Sequence, residues 1–477
     1  MAGFSTHVHR VLLGAAALHL LLGALLPLTL FESHYALYGY YLQLSYVDHP
    51  PLMGWLQGLI QLVNSSDFAL RLMPIALTLA TQYTLVAIAQ RLYPGEARIG
   101  VAVAWLVQLM PISHIVFAAA PDLPLALFAC LAFWALLHLL EEDTWAAWLG
   151  LGACLGLAGL SKYTAICLVI SLPIALWLGG RGARWLLSPK PWVAGALAVA
   201  LVSPVVIWNY QHDWLSFHFQ ADYQEGDHDG WSGAALGQAL ATQLGVYSPF
   251  ILLLFALRRD LAWRAHALCL SWALPALVLF ALQAGSGRTS PHWTYLAWLA
   301  LVPAAAYVLL HHWHRRWLRV ASYVWGSLLG LVIAAVLALP FIPFEDYKHP
   351  LRKVIGWQSA ALAAEQLRQQ WANEQEPGYH TEPSLLVYNW HYAEPIAWYA
   401  RPAPVRDVKA KQSQYSQWFG HFGPGDRGLM VRPHKSEVPK PVYLDNVECT
   451  PVDFHTATFR GRKAQTFHFY RCYWPVN

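Results

Sequence analysis

Apolar residues run in long stretches through the first 342 positions, with short polar breaks between them. A helix needs about 20 mainly apolar residues to cross a bilayer core. Eleven stretches approach or meet that need: 11–30, 69–90, 99–117, 123–140, 146–160, 164–179, 191–208, 239–257, 265–283, 294–311 and 320–342. After residue 342 the pattern changes. Charged residues become frequent, Gly356–Gln375 has the spacing of an amphipathic helix, and Ser384–Tyr388, Gly428–Val431 and Phe467–Tyr473 read as short strands. The pattern predicts a polytopic α-helical membrane protein of about eleven transmembrane helices, residues 1–342, followed by a small α/β domain, residues 343–477.

Composition agrees. Hydrophobic residues make up 57% of 477 and charged residues only 12%, about half the charged share of a soluble chain. The net charge of +4 rests on so few charges that their placement matters more than their sum, and no nucleic-acid partner is expected. Residues 11–30 are too long for the apolar core of a cleavable signal and lack a small-residue cleavage site, so they read as the first span.

With the N-terminus inside, the cytoplasmic segments hold Arg10, Arg91, Arg98, Arg181, Arg184, Lys190, Arg258, Arg259, Arg264, Arg315, Arg316 and Arg319. The opposite side holds Arg71, Lys162 and Arg288. Twelve against three is a firm positive-inside bias; Glu141, Glu142 and Asp143 run against it, but acidic residues weigh little in that rule. An odd number of spans then puts 343–477 outside. Cys130, Cys154, Cys167 and Cys269 lie in apolar spans as small hydrophobes. Cys449 and Cys472 lie in the polar tail, where they form either a disulfide, if the compartment is oxidising, or two buried thiols.

Candidate chemistry gathers at the outer ends. The first outer loop, 31–68, carries Glu32, His34 and Tyr35, then Asp48, His49, Pro50 and Pro51. The prolines can open a helix at Leu52, and Gln57 and Gln61 among apolar neighbours suit a helix lying in the interface plane. Pro121-Asp122-Leu123-Pro124 places a carboxylate at the start of a span, and Ser161-Lys162-Tyr163 places a cation between two. The second large outer loop, 209–238, follows Trp208 and holds His212, Asp213 and the acidic run Asp222, Glu225, Asp227, His228 and Asp229; Arg288 and His292 precede the tenth span. Ionisable groups at membrane depth are costly and more often functional than accidental. Each also has a plainer reading: Asp122 as a helix cap, Lys162 as a snorkelling side chain, residues 222–229 as a solvated loop rather than a metal site. No two-His helical spacing supports zinc, and His311, His312 and His314 fall in the cytoplasmic basic cluster as headgroup contacts.

These motifs, in this order, resemble bacterial members of the protein O-mannosyltransferase and lipid A aminoarabinose-transferase superfamily, membrane glycosyltransferases of the GT-C fold. That family carries an Asp-Glu pair, aromatic residues and Asp-His-Pro-Pro in its first outer loop, matched here by Phe31-Glu32, Tyr35 and Asp48 to Pro51. Its Pro-Asp-x-Pro-Leu, Leu-Ser-Lys-Tyr-Thr and Trp-Asn-x-x-His-Asp-Trp motifs match Pro121 to Leu125, Leu160 to Thr164 and Trp208 to Trp214. Gln414 to Trp418 is similar to a tyrosine–tryptophan stretch of the bacterial relatives. The resemblance covers essentially the whole chain.

It implies a multi-pass protein of a bacterial inner membrane, with the C-terminal domain in the periplasm. It further implies transfer of a sugar from a polyprenyl (undecaprenyl) phosphate donor to a lipid A, core or other envelope glycolipid or glycan, by inverting displacement without a covalent intermediate. Lys162, Tyr163, Arg71 and Arg288 are then the candidates for the donor phosphate, since cations suit an anionic leaving group. His34, Tyr35, His49, His212, Asp213 and His292 are the candidates for substrate binding. No cofactor is required by the resemblance, which leaves room for a divalent metal.

One position departs from the family. Its Asp, the expected base for a hydroxyl acceptor, is Phe31 here. Three readings follow: Glu32, Asp48 or Asp122 serves as base; the acceptor is a phosphate that needs none; or catalysis is lost and the chain is a non-catalytic envelope-glycan assembly subunit. A secondary transporter is the rival from another class, but transporters set their polar site near the midplane on related repeats, and here the polar residues lie at one interface.

Overall fold

The computed structural model describes residues 4–115, 118–224 (222–224 by backbone alone), 230–250, 262–286, 289–374, 381–409, 412–444 and 446–476. The chain forms two compact units: Met1–Ala24 with Leu42–Ile333, and Leu25–Tyr41 with Ala334–Asn477. Set against the expected division after residue 342, the second unit starts a little earlier and also takes in 25–41 from the first outer loop.

The first unit is helical. Among the described residues seven helices are long and apolar enough to cross a membrane: Thr6–Leu25, Ala69–Leu92, Asp122–Glu141, Pro189–Gln211, Trp263–Gly285, Pro291–His312 and Arg316–Phe341, the last running on into the second unit. Three shorter apolar helices accompany them: Ile99–Gln108, Trp145–Ser161 and Tyr163–Leu178. The stretch 99–117, expected as one full span, forms a helix only to Gln108. Pro111, which has no N–H to continue the ladder, opens a 3₁₀ turn instead at Pro111–His114. The expected span 239–257 starts within the helix Gly233–Tyr247, and its residues 251–257 lie outside the described residues.

Pro291–His312 is the most buried of the seven, whereas Pro189–Gln211 and Arg316–Phe341 turn most of their surface outward. Val199 and Leu331 on these two are exposed, as a lipid-facing helix requires. The core holds Phe133 stacked on Trp272, ring centroids 5.3 Å apart. Trp145–Ser161 packs on Pro189–Gln211 through glycines. A Cβ at Gly152 would lie 2.3 Å from the Ala194 carbonyl oxygen, one at Gly156 2.8 Å from Leu201 Cβ, and one at Gly159 2.7 Å from Val202 Cγ2. Small residues allow such close approach between membrane helices, and Lys162 follows directly on this stripe.

The expected interfacial helix forms as Leu52–Gln61, but its faces are not those of the expectation. Gln57 is fully buried and its Nε2 donates to the Leu70 carbonyl, while Leu59, Leu62 and Val63 are exposed.

The second unit is α/β. Its strands are β1 (Ser384–Val387), β2 (Val405–Asp407), β3 (Arg427–His434), β4 (Glu448–Phe459) and β5 (Arg462–Tyr473), in the order β2-β1-β3-β5-β4. β1 is parallel to β2 and β3; β5 is antiparallel to β3 and β4. The three expected strands become β1, β3 and β5, while β2 and β4 were not anticipated. Arg460 and Gly461 both take positive φ between β4 and β5, the backbone a two-residue hairpin turn needs. Cys449 and Cys472 face each other across this hairpin and are bridged. The expected amphipathic helix forms as Trp357–Ala372, and a further helix, Trp390–Ala400, packs against Leu30–Tyr40.

Candidate active site

In the first unit the site is built where helices begin and end. Pro121 precedes the helix Asp122–Glu141, and Pro124 sits in its first turn, where a missing N–H costs nothing. Asp122 is therefore the first helical residue, its carboxylate beside the positive end of the helix dipole. Lys162 caps the C-terminus of Trp145–Ser161 in an extended conformation, and the chain turns at once into the 3₁₀ segment Tyr163–Ala165. Lys162 Nζ donates to both Asp122 carboxylate oxygens, at 2.9 and 3.0 Å. Both residues are buried. A buried charge without a partner costs several kcal/mol, and here each has the other as its partner.

Two imidazoles stand within electrostatic reach of the Asp122 carboxylate, His292 on the 3₁₀ turn Pro291–Thr294 and the half-buried His49. The Tyr163 hydroxyl lies 2.5 Å from Ser216 Oγ. Asn209 accepts from the Ser216 N–H at 3.2 Å, and Asp48 lies within electrostatic reach of Tyr163. Gln220 Nε2 donates to the Asp48 carbonyl at 2.6 Å and fixes that loop. The structure thus brings together Asp48, His49, Asp122, Lys162, Tyr163 and His292 from four separated stretches of sequence.

Arg71 is buried, with Nη1 donating to the Gly23 carbonyl at 2.7 Å. Arg288 lies outside the described residues. His212 stacks on Trp208 at 4.1 Å and donates from Nδ1 to the Trp208 carbonyl, and Asp213 beside it is exposed with positive φ. Glu32, His34 and Tyr35 belong to the second unit and are buried there. Glu32 forms a capping box: its carboxylate accepts from the Thr29 N–H at 2.8 Å while Thr29 Oγ1 accepts from the Glu32 N–H. His34 bonds Tyr415 through Nδ1 at 3.0 Å and Tyr38 through Nε2 at 3.1 Å. Among the described residues no group of three or more His, Cys, Asp or Glu side chains could hold a metal ion. The side chains of the acidic run 222–229 lie outside them.

Sequence reasoning missed Gln243 and Tyr247. Both sit in a stretch that reads as apolar, yet Gln243 Oε1 accepts from Thr294 and from Trp298 Nε1, and Tyr247 donates to the Pro291 carbonyl at 2.9 Å. They tie the helix Gly233–Tyr247 to the turn that carries His292. A buried amide inside an apolar run was the available signal.

Residues 48–208, about a third of the chain, match the family model described as dolichyl-phosphate-mannose-protein mannosyltransferase. That stretch contains Asp48, His49, Asp122, Lys162 and Tyr163. Lipid A galacturonosyltransferase RgtD of Rhizobium johnstonii is 26% identical over 329 residues, which span 67% of this chain and 66% of that protein. The chain therefore covers just under two thirds of that relative. The crystal structure of ArnT from Cupriavidus metallidurans bound to undecaprenyl phosphate superposes with a TM-score of 0.66 at 13% identity over 98% of each chain. The apo form gives 0.59 at 14% identity, over 89% of this chain and 92% of that one.

Helices that end in a polar constellation, followed by an α/β domain, make this a GT-C fold. Over residues 48–208 the chain is similar to the protein mannosyltransferase family, and over two thirds of its length to a lipid A galacturonosyltransferase.

Proposed function

We propose that this protein transfers a sugar from undecaprenyl phosphate to a periplasm-facing envelope glycolipid of the lipid A class, by a single inverting displacement. The observation that carries the reading is the buried Asp122–Lys162 pair at the ends of two apolar helices. A polyprenyl donor keeps its tail in lipid and its phosphate at headgroup depth, where such helix ends lie. Lys162 takes up charge on the leaving phosphate as the glycosidic bond breaks, and electrostatic stabilisation of that kind is often the largest catalytic contribution. Asp122 holds the ammonium aimed before the donor arrives. Asp48, His49, Tyr163 and His292 line the place where the sugar sits. The relative's activity on lipid A and the bound undecaprenyl phosphate of the ArnT structure support the choice of acceptor and donor. The basic bias and the Cys449–Cys472 bridge support a periplasmic C-terminal unit in a bacterial inner membrane.

The test is transfer by the purified full chain in lipid nanodiscs, from undecaprenyl phosphate carrying labelled galacturonic acid or aminoarabinose, to lipid A. Product with the wild type and none with Asp122→Asn or Lys162→Ala is the expected result. A folded wild type that labels no acceptor from any donor, yet moves a labelled solute across vesicles, overturns the reading.

A further inference from the structure

A hydroxyl acceptor must shed its proton as the sugar moves, and Phe31 stands where the resemblance places a carboxylate. The first unit itself holds a group that can take that proton. His292 lies in the 3₁₀ turn Pro291–Thr294, at the start of the most buried of the long helices. Thr294 and Tyr295 after it are buried, yet His292 is exposed. Two ties hold the turn. The Tyr247 hydroxyl donates to the Pro291 carbonyl at 2.9 Å, and Gln243 Oε1 accepts from Thr294 Oγ1 and, at 2.8 Å, from Trp298 Nε1. Gln243 and Tyr247 are both buried on the helix Gly233–Tyr247, and buried polar networks with their partners in place rigidify what they hold. Among the described residues, the charged groups that face the imidazole are the Asp122 carboxylate and the Lys162 ammonium, which are paired with each other. The imidazole is therefore fixed through its backbone while its ring stays open to a ligand.

We propose that His292 is the general base that deprotonates the acceptor, with Gln243 and Tyr247 as its positioning residues, and that the acceptor group is a hydroxyl of a glycolipid sugar. This rests on the transferase reading above. A base works best when its proton affinity suits the working pH, which an imidazole meets near neutrality and an ordinary carboxylate does not. Asp122 is in any case engaged, since both of its oxygens accept from Lys162. In the step, the acceptor O–H proton passes to the unprotonated ring nitrogen of His292, and the oxygen forms its bond to the anomeric carbon. The bond from that carbon to the phosphate oxygen breaks, and its electron pair leaves with the polyprenyl phosphate. The imidazolium stands within electrostatic reach of the Asp122 carboxylate, which offsets its charge, and it then returns its proton to water. One carboxylate thus serves two cations, the ammonium that meets the leaving group and the imidazolium that forms as the acceptor attacks. A phosphate acceptor, already ionised, would give such a base nothing to do.

The experiment uses the full chain in lipid nanodiscs, an undecaprenyl phosphate donor carrying a labelled sugar, and lipid A either intact or stripped of its phosphates. The wild type is expected to modify both acceptors, with kcat rising between about pH 5 and about pH 8 as an imidazole loses its proton. His292→Gln should lose about 100-fold or more in kcat with little change in KM, the usual size of a general-base contribution, and its pH limb should flatten. His292→Ala should be as inactive, and imidazole in the buffer should restore part of its rate; His292→Gln covers the case in which His292→Ala fails to fold. Tyr247→Phe loses only the hydroxyl and should cost about tenfold in kcat through a misaimed base, with the pH limb kept. Gln243→Glu keeps the accepting oxygen and should retain more kcat than Gln243→Met. Wild-type kcat in His292→Gln, a change there in KM alone, or an intact pH limb overturns the proposal while the transferase reading stands. So does transfer by the wild type to intact lipid A alone. Tyr247→Phe with wild-type kcat and only a lower unfolding temperature overturns the positioning roles. A wild type inert on both acceptors strikes the transferase reading itself and the proposal with it.

Discussion

Lys162 Nζ donates to both oxygens of the Asp122 carboxylate across 40 positions of sequence, and both side chains are buried at helix ends. Removing one partner leaves the other charge stranded in a low-dielectric place, which costs about 3–5 kcal/mol. Asp122→Asn and Lys162→Ala should each lower the unfolding temperature and reduce transfer by about 100-fold or more, the scale of a lost charge-stabilising group. The double variant Asp122→Leu/Lys162→Met should regain much of the stability and none of the activity. Thermal unfolding in detergent together with a transfer assay decides it. A double variant less stable than either single would show that the pair is not the source of the cost.

Glu32 tests the division between capping and catalysis. The pattern Thr29-x-x-Glu32 is a capping box, and glutamine serves in that box as glutamate does. Glu32→Gln should therefore keep transfer within about threefold, while Thr29→Val should cost about 1 kcal/mol of stability. A loss of about 100-fold in Glu32→Gln would return Glu32 to the role of base.

The Thr29–Glu32 capping signature was present in the sequence, beside the family register that makes Glu32 a candidate base. Seven long spans were legible because a bilayer imposes a length and a composition, and the motif order placed Asp122 and Lys162 at helix ends. What the pattern did not reveal were contacts between distant positions. Nothing local announces that His34 bonds Tyr415, 381 residues away, or that the Leu30–Tyr40 helix therefore folds with the C-terminal unit. Gln57 turned inward for the same reason, since its partner is the Leu70 carbonyl beyond the end of its own helix.

The glycine stripe behind Lys162 makes a sharp comparison. A Cβ at Gly152 meets the Ala194 carbonyl at 2.3 Å, and backbone cannot swing aside, whereas Gly150 on the same helix has nothing within 4 Å of its Cβ. Gly152→Val should destabilise by about 1–3 kcal/mol or more through overpacking, and reduce transfer by displacing Lys162. Gly150→Ala should be neutral or gain up to about 1 kcal/mol. Equal melting of the two variants in detergent would remove the stripe as a cause of helix approach.

Cys449 and Cys472 close a loop of 23 positions between paired strands. Denatured, unreduced protein should show four reactive thiols, Cys130, Cys154, Cys167 and Cys269, and six after reduction. Cys449→Ser should weaken the second unit by about 2–4 kcal/mol. Six thiols in protein prepared from the bacterial envelope without reductant would contradict both the bridge and an oxidising location for this unit.

His349 gives the second unit a dependence on pH. Its ring is buried between Phe344 and Phe459, each centroid 4.9 Å away, and its Nδ1 accepts from the Leu351 N–H at 3.0 Å. Burial holds its pKa below the ordinary 6.5, so the folded unit takes up a proton less readily than the unfolded chain. The stability this contributes is full above 6.5 and is lost as pH falls below that value toward the folded pKa. His434 and His455 are lowered by burial in the same direction. His349→Phe should therefore shrink the acid sensitivity of this unit without abolishing it. Hydrogen exchange in the segment 344–352, corrected for intrinsic rates, should rise in the wild type between about pH 7 and about pH 5.5 and rise less in the variant. A wild type more protected at the lower pH would reverse the sign and refute the assignment.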